Sequence, residues 1–91
     1  DFLTDRVDFA TFSGHKFHSV RGVGFIYAKE GKKISPLLTG GGQESDKRST
    51  TENVAGIAAT AKALRLALNQ FEASQSRLLA MKQVIADELS R

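Results

Sequence analysis

The sequence has 91 residues, of which 41% are apolar and 25% charged, with a formal net charge of +3 and no cysteine. This length allows one domain, and the balanced composition excludes low-complexity, collagen-like and long disordered chains. The missing cysteine excludes a disulfide framework, a thiolate metal site and a thiol nucleophile within these residues.

Val7 to Phe12 alternates loosely and is rich in β-forming residues, which predicts a strand over 7–12. The connection that follows, SGHKFHSVR, is polar, basic and too long for a tight hairpin turn. Gly22 to Ala28 predicts a second strand, its apolar residues nearly continuous as expected when both faces are covered. From Lys29 to Arg48 runs a long irregular loop with Pro36 and a Gly40-Gly41-Gly42 run. Loops of that length are usually functional or disordered.

The remainder reads as helix. Ser49-Thr50-Thr51-Glu52 has the form of a capping box, with Ser49 as N-cap and Glu52 reaching back to its amide. Val54, Ile57, Ala58, Ala61, Leu64, Leu68 and Phe71 recur at helical spacing, and Leu78, Met81, Ile85 and Leu89 resume the stripe after a polar patch over 72–77. One helix over 51–89 would be about 58 Å long at about 1.5 Å per residue, whereas a compact chain of this size has a radius of gyration of about 12 Å. The helix is therefore expected either to break near 72–77 or to carry its far end onto further protein.

Charge is spread evenly: residues 1–48 carry 8 basic and 6 acidic side chains, and residues 49–91 carry 5 and 4. Nucleic-acid binders concentrate Lys and Arg in a stripe with stacking aromatics, so no nucleic-acid partner is expected. No apolar run approaches the roughly 20 residues of a membrane span. The acidic start, DFLTDRVDF, is unlike a signal peptide. A cytoplasmic chain without a membrane partner is expected, and the first residue, Asp rather than Met, points to a piece of something longer.

Lys16 is the first candidate for chemistry, in Ser13-Gly14-His15-Lys16 and flanked by Phe12 and Phe17. Apolar neighbours disfavour an ammonium, and a neutral amine is what an imine-forming lysine must supply. On local sequence alone the plainer reading is one more solvated lysine among 13 basic residues, since surface lysines are the norm. His15 and His18 lie three apart, but no nearby acid or thiol completes a metal site, so loop histidines hydrogen-bonded to neighbours, or rings stacked on a ligand, are expected. The glycine run over 40–42 frees the backbone for close approach, and it reads equally as a flexible turn. Arg48 to Asn53 places hydroxyls and free amides where a helix N-terminus favours an anion, with simple capping as the plainer reading.

Taken together, VDFATFSGHKF, RGVGFIYAKEGKKISPLLTGGGQES and RSTTENVAGIAATAKAL resemble the class V aminotransferase family of pyridoxal-phosphate enzymes, and within it the NifS-like cysteine desulfurases. The family pattern reads strand, S-[AG]-H-K, a short loop, K/R-G-[VI]-G-x-[LI]-Y, then P-L-x-x-G-G-G-Q-E and R-S-G-T-E-N, and four pieces match in order and spacing over about residues 7–64. The resemblance implies an α/β fold: a fragment of the large cofactor-binding domain of a fold-type I, aspartate aminotransferase-like enzyme, with two strands followed by a long helix or helices. Residues 1–91 would form part of that domain, divided into strand, lysine loop and strand over 1–28, a Gly-rich loop over 29–48 and a helical segment over 49–91.

Carried over by resemblance, Lys16 holds pyridoxal 5'-phosphate as a Schiff base, and Ser13 and His15 hydrogen-bond its phosphate. Thr51 reaches the phosphate in the neighbouring active site of a homodimer. The reaction implied converts L-cysteine to L-alanine, an enzyme cysteine taking the sulfur as a persulfide for a sulfur-acceptor protein in iron–sulfur cluster assembly. Two positions depart from the pattern: Thr50 stands where the family has Gly, and Ser19-Val20 where Gly-Pro is common. The family's pyridine-ring ligands (an Asp and a Gln), its catalytic cysteine and its substrate-carboxylate arginine fall outside these residues. The 91 residues alone are thus expected to be inactive. Two other readings stay open: a different reaction of the same family, such as transamination or selenocysteine lysis, and a non-enzymatic helical interaction module.

Overall fold

The computed structural model describes residues 4–91. Two strands, β1 (Phe9–Ser13) and β2 (Gly24–Ala28), pair antiparallel in a two-stranded sheet. Both begin two residues later than the alternation predicts. The register sets Phe9 opposite Ala28, Phe12 opposite Phe25 and Ser13 opposite Gly24. Directly opposed side chains are the unit of sheet stabilisation. Here the Phe12 and Phe25 rings stack at 4.7 Å, with Phe17 edge-on to Phe25 at 6.5 Å. An aromatic pair of this kind contributes about 0.5–1.5 kcal/mol beyond its area. The expected cover on both faces of β2 is not supplied by the described residues, since Phe25 and Ile26 stay exposed.

The connection between the strands contains a single 3-10 turn, Gly14–Phe17, which ends with His18 in the left-handed region at φ 70°. After β2 the chain runs without helix or strand as far as Asn53, five residues beyond the predicted loop end.

Helix α1 spans Val54–Asn69 and helix α2 Phe71–Leu89. The capping box is not used. Asn53 caps α1 instead, its side-chain oxygen accepting from Gly56 N at 3.0 Å, an arrangement that Asn at N-cap satisfies well. Ser49, the expected cap, is buried in the preceding loop with its amide donating to Leu38 O at 2.9 Å. The helical segment thus starts at 54, not 49. It breaks at Gln70, just ahead of the polar patch over 72–77 where a break was expected; Gln70 caps both helices and donates to Leu66 O at 3.1 Å.

The described chain is elongated, with a radius of gyration of 18.2 Å and extents of 61 × 32 × 23 Å, because α2 buries no residue. Among the described residues, apart from Ser49 in the loop, what is buried lies where the chain around the 3-10 turn meets α1: Gly14, Gly56 and Thr60. The apolar stripe over 54–71 is not the packed face. Val54, Ile57 and Leu68 are exposed, whereas Gly56, Thr60, Ala63 and Ala67, one row of small residues, are buried or half-buried. At 3.6 residues per turn the two rows lie roughly 100° apart around the helix.

Candidate functional site

Small residues decide how closely the lysine turn can approach α1. A Cβ at Gly14 would sit 2.9 Å from Val23 O, 3.1 Å from Ser19 Cβ and 3.2 Å from Thr60 Oγ1. A Cβ at Gly56 would sit 2.6 Å from Val23 Cγ2. The connection from Gly14 to Val23 is therefore pressed onto the helix at two positions without side chains, Gly14 and Gly56. Its backbone is tied on both sides: Gly14 N donates to Val23 O at 2.9 Å, and Ser19 N donates to Gly14 O at 3.1 Å.

On this base stand three of the residues singled out in the sequence. Ser13 is the last residue of β1, and His15 and Lys16 lie in the 3-10 turn, all three exposed. A hydroxyl, an imidazole and a primary amine thus project within four residues from a backbone that cannot slide. His18 is exposed as well, at the end of the turn. Among the described residues no group of three or more His, Cys, Asp or Glu could hold a metal ion.

Thr51 belongs to another neighbourhood. It is exposed and lies two residues before the cap Asn53, ahead of the helix N-terminus rather than within it. The peptide before it is clamped: Thr50 N donates to Gln43 Oε1 at 3.2 Å, and the Arg48 guanidinium donates to Thr50 Oγ1 and to Ser49 O. Thr50 has φ 135°, a conformation suited to glycine and strained for a β-branched residue. The Gln43 and Arg48 contacts hold the backbone in this conformation.

Ser19, the other departure, also finds a partner. Its hydroxyl lies 2.9 Å from Thr60 Oγ1, and Thr60 in turn donates to Gly56 O at 2.8 Å. The sequence marks Gln43 as part of the GGGQE motif and Ser19 as a departure, but not their pairing with Thr50 and Thr60. Local pattern carries no signal for a contact spanning 41 residues.

Comparison with known proteins addresses the same segments. The aminotransferase class-V family matches residues 1–91. The chain belongs to this family. A NifS/IcsS protein homolog of Lactobacillus delbrueckii is 49% identical over 88 residues, covering 97% of this chain and 23% of the relative. The cysteine desulfurase IscS of Dictyoglomus turgidum is 41% identical over 85 residues, covering 93% and 22%. A solved NifS-like protein superposes with a TM-score of 0.88 at 39% identity over 92% of this chain and 23% of its own. The α/β fragment of two strands and two helices is thus a NifS-like class V aminotransferase fold, and the chain spans about a quarter of the length of these relatives. Among the described residues no helix is long and apolar enough to cross a membrane.

Proposed function

We propose that these residues are the cofactor-lysine segment of a pyridoxal-phosphate-dependent cysteine desulfurase. The observation that carries the reading is the exposed Lys16 on a turn pinned between β1 and α1, with Ser13 and His15 beside it, in a chain whose relatives bear the name cysteine desulfurase.

The donor set fits the cofactor. Lys16 offers a primary amine for an aldehyde carbon, and the Ser13 hydroxyl and His15 ring N–H are hydrogen-bond donors for phosphate oxygens. When bound, pyridoxal phosphate supplies an electron sink for the bonds at the substrate Cα. Lys16 Nζ holds the cofactor in the resting enzyme and, once released, carries a proton to or from the substrate Cα. Gly14 keeps the turn against α1, so that Nζ starts from a fixed position. Thr51 Oγ1, presented by the clamped Thr50 peptide, donates to a phosphate oxygen in the neighbouring subunit of a homodimer. In this reading L-cysteine yields L-alanine, and a cysteine beyond these 91 residues takes the sulfur as a persulfide for an acceptor protein. The exposed apolar residues of α1 and α2 support the longer enzyme, because faces of this extent generally meet other protein.

Borohydride reduction of the complete protein loaded with pyridoxal phosphate, followed by peptide mass analysis, tests the assignment. The expected result is a fixed cofactor on the peptide containing Lys16, lost in Lys16→Ala, while a separate, unreduced sample given L-cysteine and a thiol reductant forms alanine and sulfide. Fixation on another lysine overturns the role of Lys16. Fixation on Lys16 without sulfide release leaves the family and changes the reaction.

A further inference from the structure

The turn that bears Lys16 returns toward β2 through Ser19, and there its side chains grip the helix behind it. Ser19 Oγ and Thr60 Oγ1 are 2.9 Å apart, Thr60 is 5% exposed, and Thr60 also donates to Gly56 O at 2.8 Å. With the Thr60 proton committed to Gly56 O, Ser19 is the donor and Thr60 the acceptor in the bond between them. The order of donors is thereby set from the loop, through Thr60, into the α1 backbone. Gly14 closes the same node: its carbonyl accepts from Ser19 N at 3.1 Å, and a Cβ there would lie 3.2 Å from Thr60 Oγ1. Two residues on from Gly14 stands Lys16, exposed.

We propose that Ser19 and Thr60 are positioning residues for Lys16: their hydrogen bond holds the lysine turn at one height above α1, and so fixes where the Lys16 amine meets the cofactor aldehyde. The inference rests on Lys16 being the cofactor lysine. It assigns these two hydroxyls no contact with cofactor or substrate. Losing the bond would leave the 14–19 segment held to the helix mainly by packing, as at Gly14 against Thr60, since the backbone bonds Gly14–Val23 and Ser19–Gly14 tie the turn to itself and to the residue before β2 but not to α1.

The test uses the complete protein and four variants: Ser19→Ala, Thr60→Val, the double variant, and the conservative Thr60→Ser. Two quantities are followed, amide hydrogen exchange over residues 14–19 and the rate at which added pyridoxal phosphate becomes reducible onto Lys16. A hydrogen bond of ordinary strength is worth about tenfold in an equilibrium. Each single variant is therefore expected to speed exchange and slow attachment about tenfold. The double variant should do no more than either single one, and Thr60→Ser should stay within about twofold of wild type. Attachment at the wild-type rate in Ser19→Ala and Thr60→Val overturns the inference while leaving the role of Lys16 intact. Slower attachment with unchanged exchange, or a defect equally present in Thr60→Ser, also overturns it. Failure of the wild-type protein to attach the cofactor at Lys16 overturns the functional reading and this inference together.

Discussion

Helices α1 and α2 are joined by one residue, Gln70, and are similar in length, yet they are held by different forces. In α1, Thr60 meets Gly14 and Ser19 of the lysine turn and Gly56 meets the Val23 side chain just before β2, at separations too short for larger groups. Helix α2 has no such seam: Phe71, Leu78, Met81, Ile85 and Leu89 are all exposed. Its local support comes from contacts such as Gln83 to Asp87 at 2.7 Å and the exposed Arg91–Glu88 pair at 3.4 Å. The contrast teaches that the apolar stripe, the strongest signal in both helices, does not mark the contact made within the chain. The close contact is made by the smallest residues.

That contrast can be broken by substitution, with stability measured by urea denaturation of the complete protein. The largest effect is expected for Gly14→Val, which drives a side chain into Val23 O, Ser19 and Thr60. Overpacking of this kind costs about 2–3 kcal/mol, and a loss below about 0.5 kcal/mol, the size of an ordinary surface change, would mean that the seam is loose. Gly56→Ala sharpens the comparison through its sign. In an open helix the change would stabilise by about 1 kcal/mol, but a Cβ 2.6 Å from Val23 Cγ2 and 2.5 Å from Asn53 Nδ2 should instead destabilise by about 1 kcal/mol. The smallest effect belongs to α2, where Glu88→Gln removes an exposed ion pair and should change stability by no more than about 0.5 kcal/mol. If the α2 variant proved as costly as Gly14→Val, the division between the two helices would fail.

The candidate site was legible in the sequence to the extent that its residues are local. Ser13, His15 and Lys16 fall within four positions, and the strand before them shows in its alternation. The helix start was misread because the Ser-x-x-Glu spacing at Ser49 satisfies the same hydrogen-bonding rule as Asn53, three residues before Gly56. Both segments could cap a helix. The burial of Ser49 beneath Leu38 O is what removes the first from use. The break at Gln70 has no glycine or proline to announce it. The clamp of Thr50 by Gln43 joins residues seven apart in a loop with no periodicity to read.

By itself, the sequence determined the order strand, lysine connection, strand, long loop and helical region, and the composition of the lysine turn. These depend on propensity, alternation and spacing, which act over a few residues. Only the tertiary structure decided which face of α1 lies inward, which residue caps it and which hydroxyl holds the turn that bears Lys16. The choice of cap follows from the tie of Ser49 to Leu38 in the loop, and the inward face and the hold on the turn rest on distant contacts such as Ser19–Thr60, 41 positions apart. There the available space, rather than hydrophobicity, selects the partner: glycine and threonine are accepted against Val23 and Ser19 because nothing larger fits, and the apolar stripe is turned aside as a consequence.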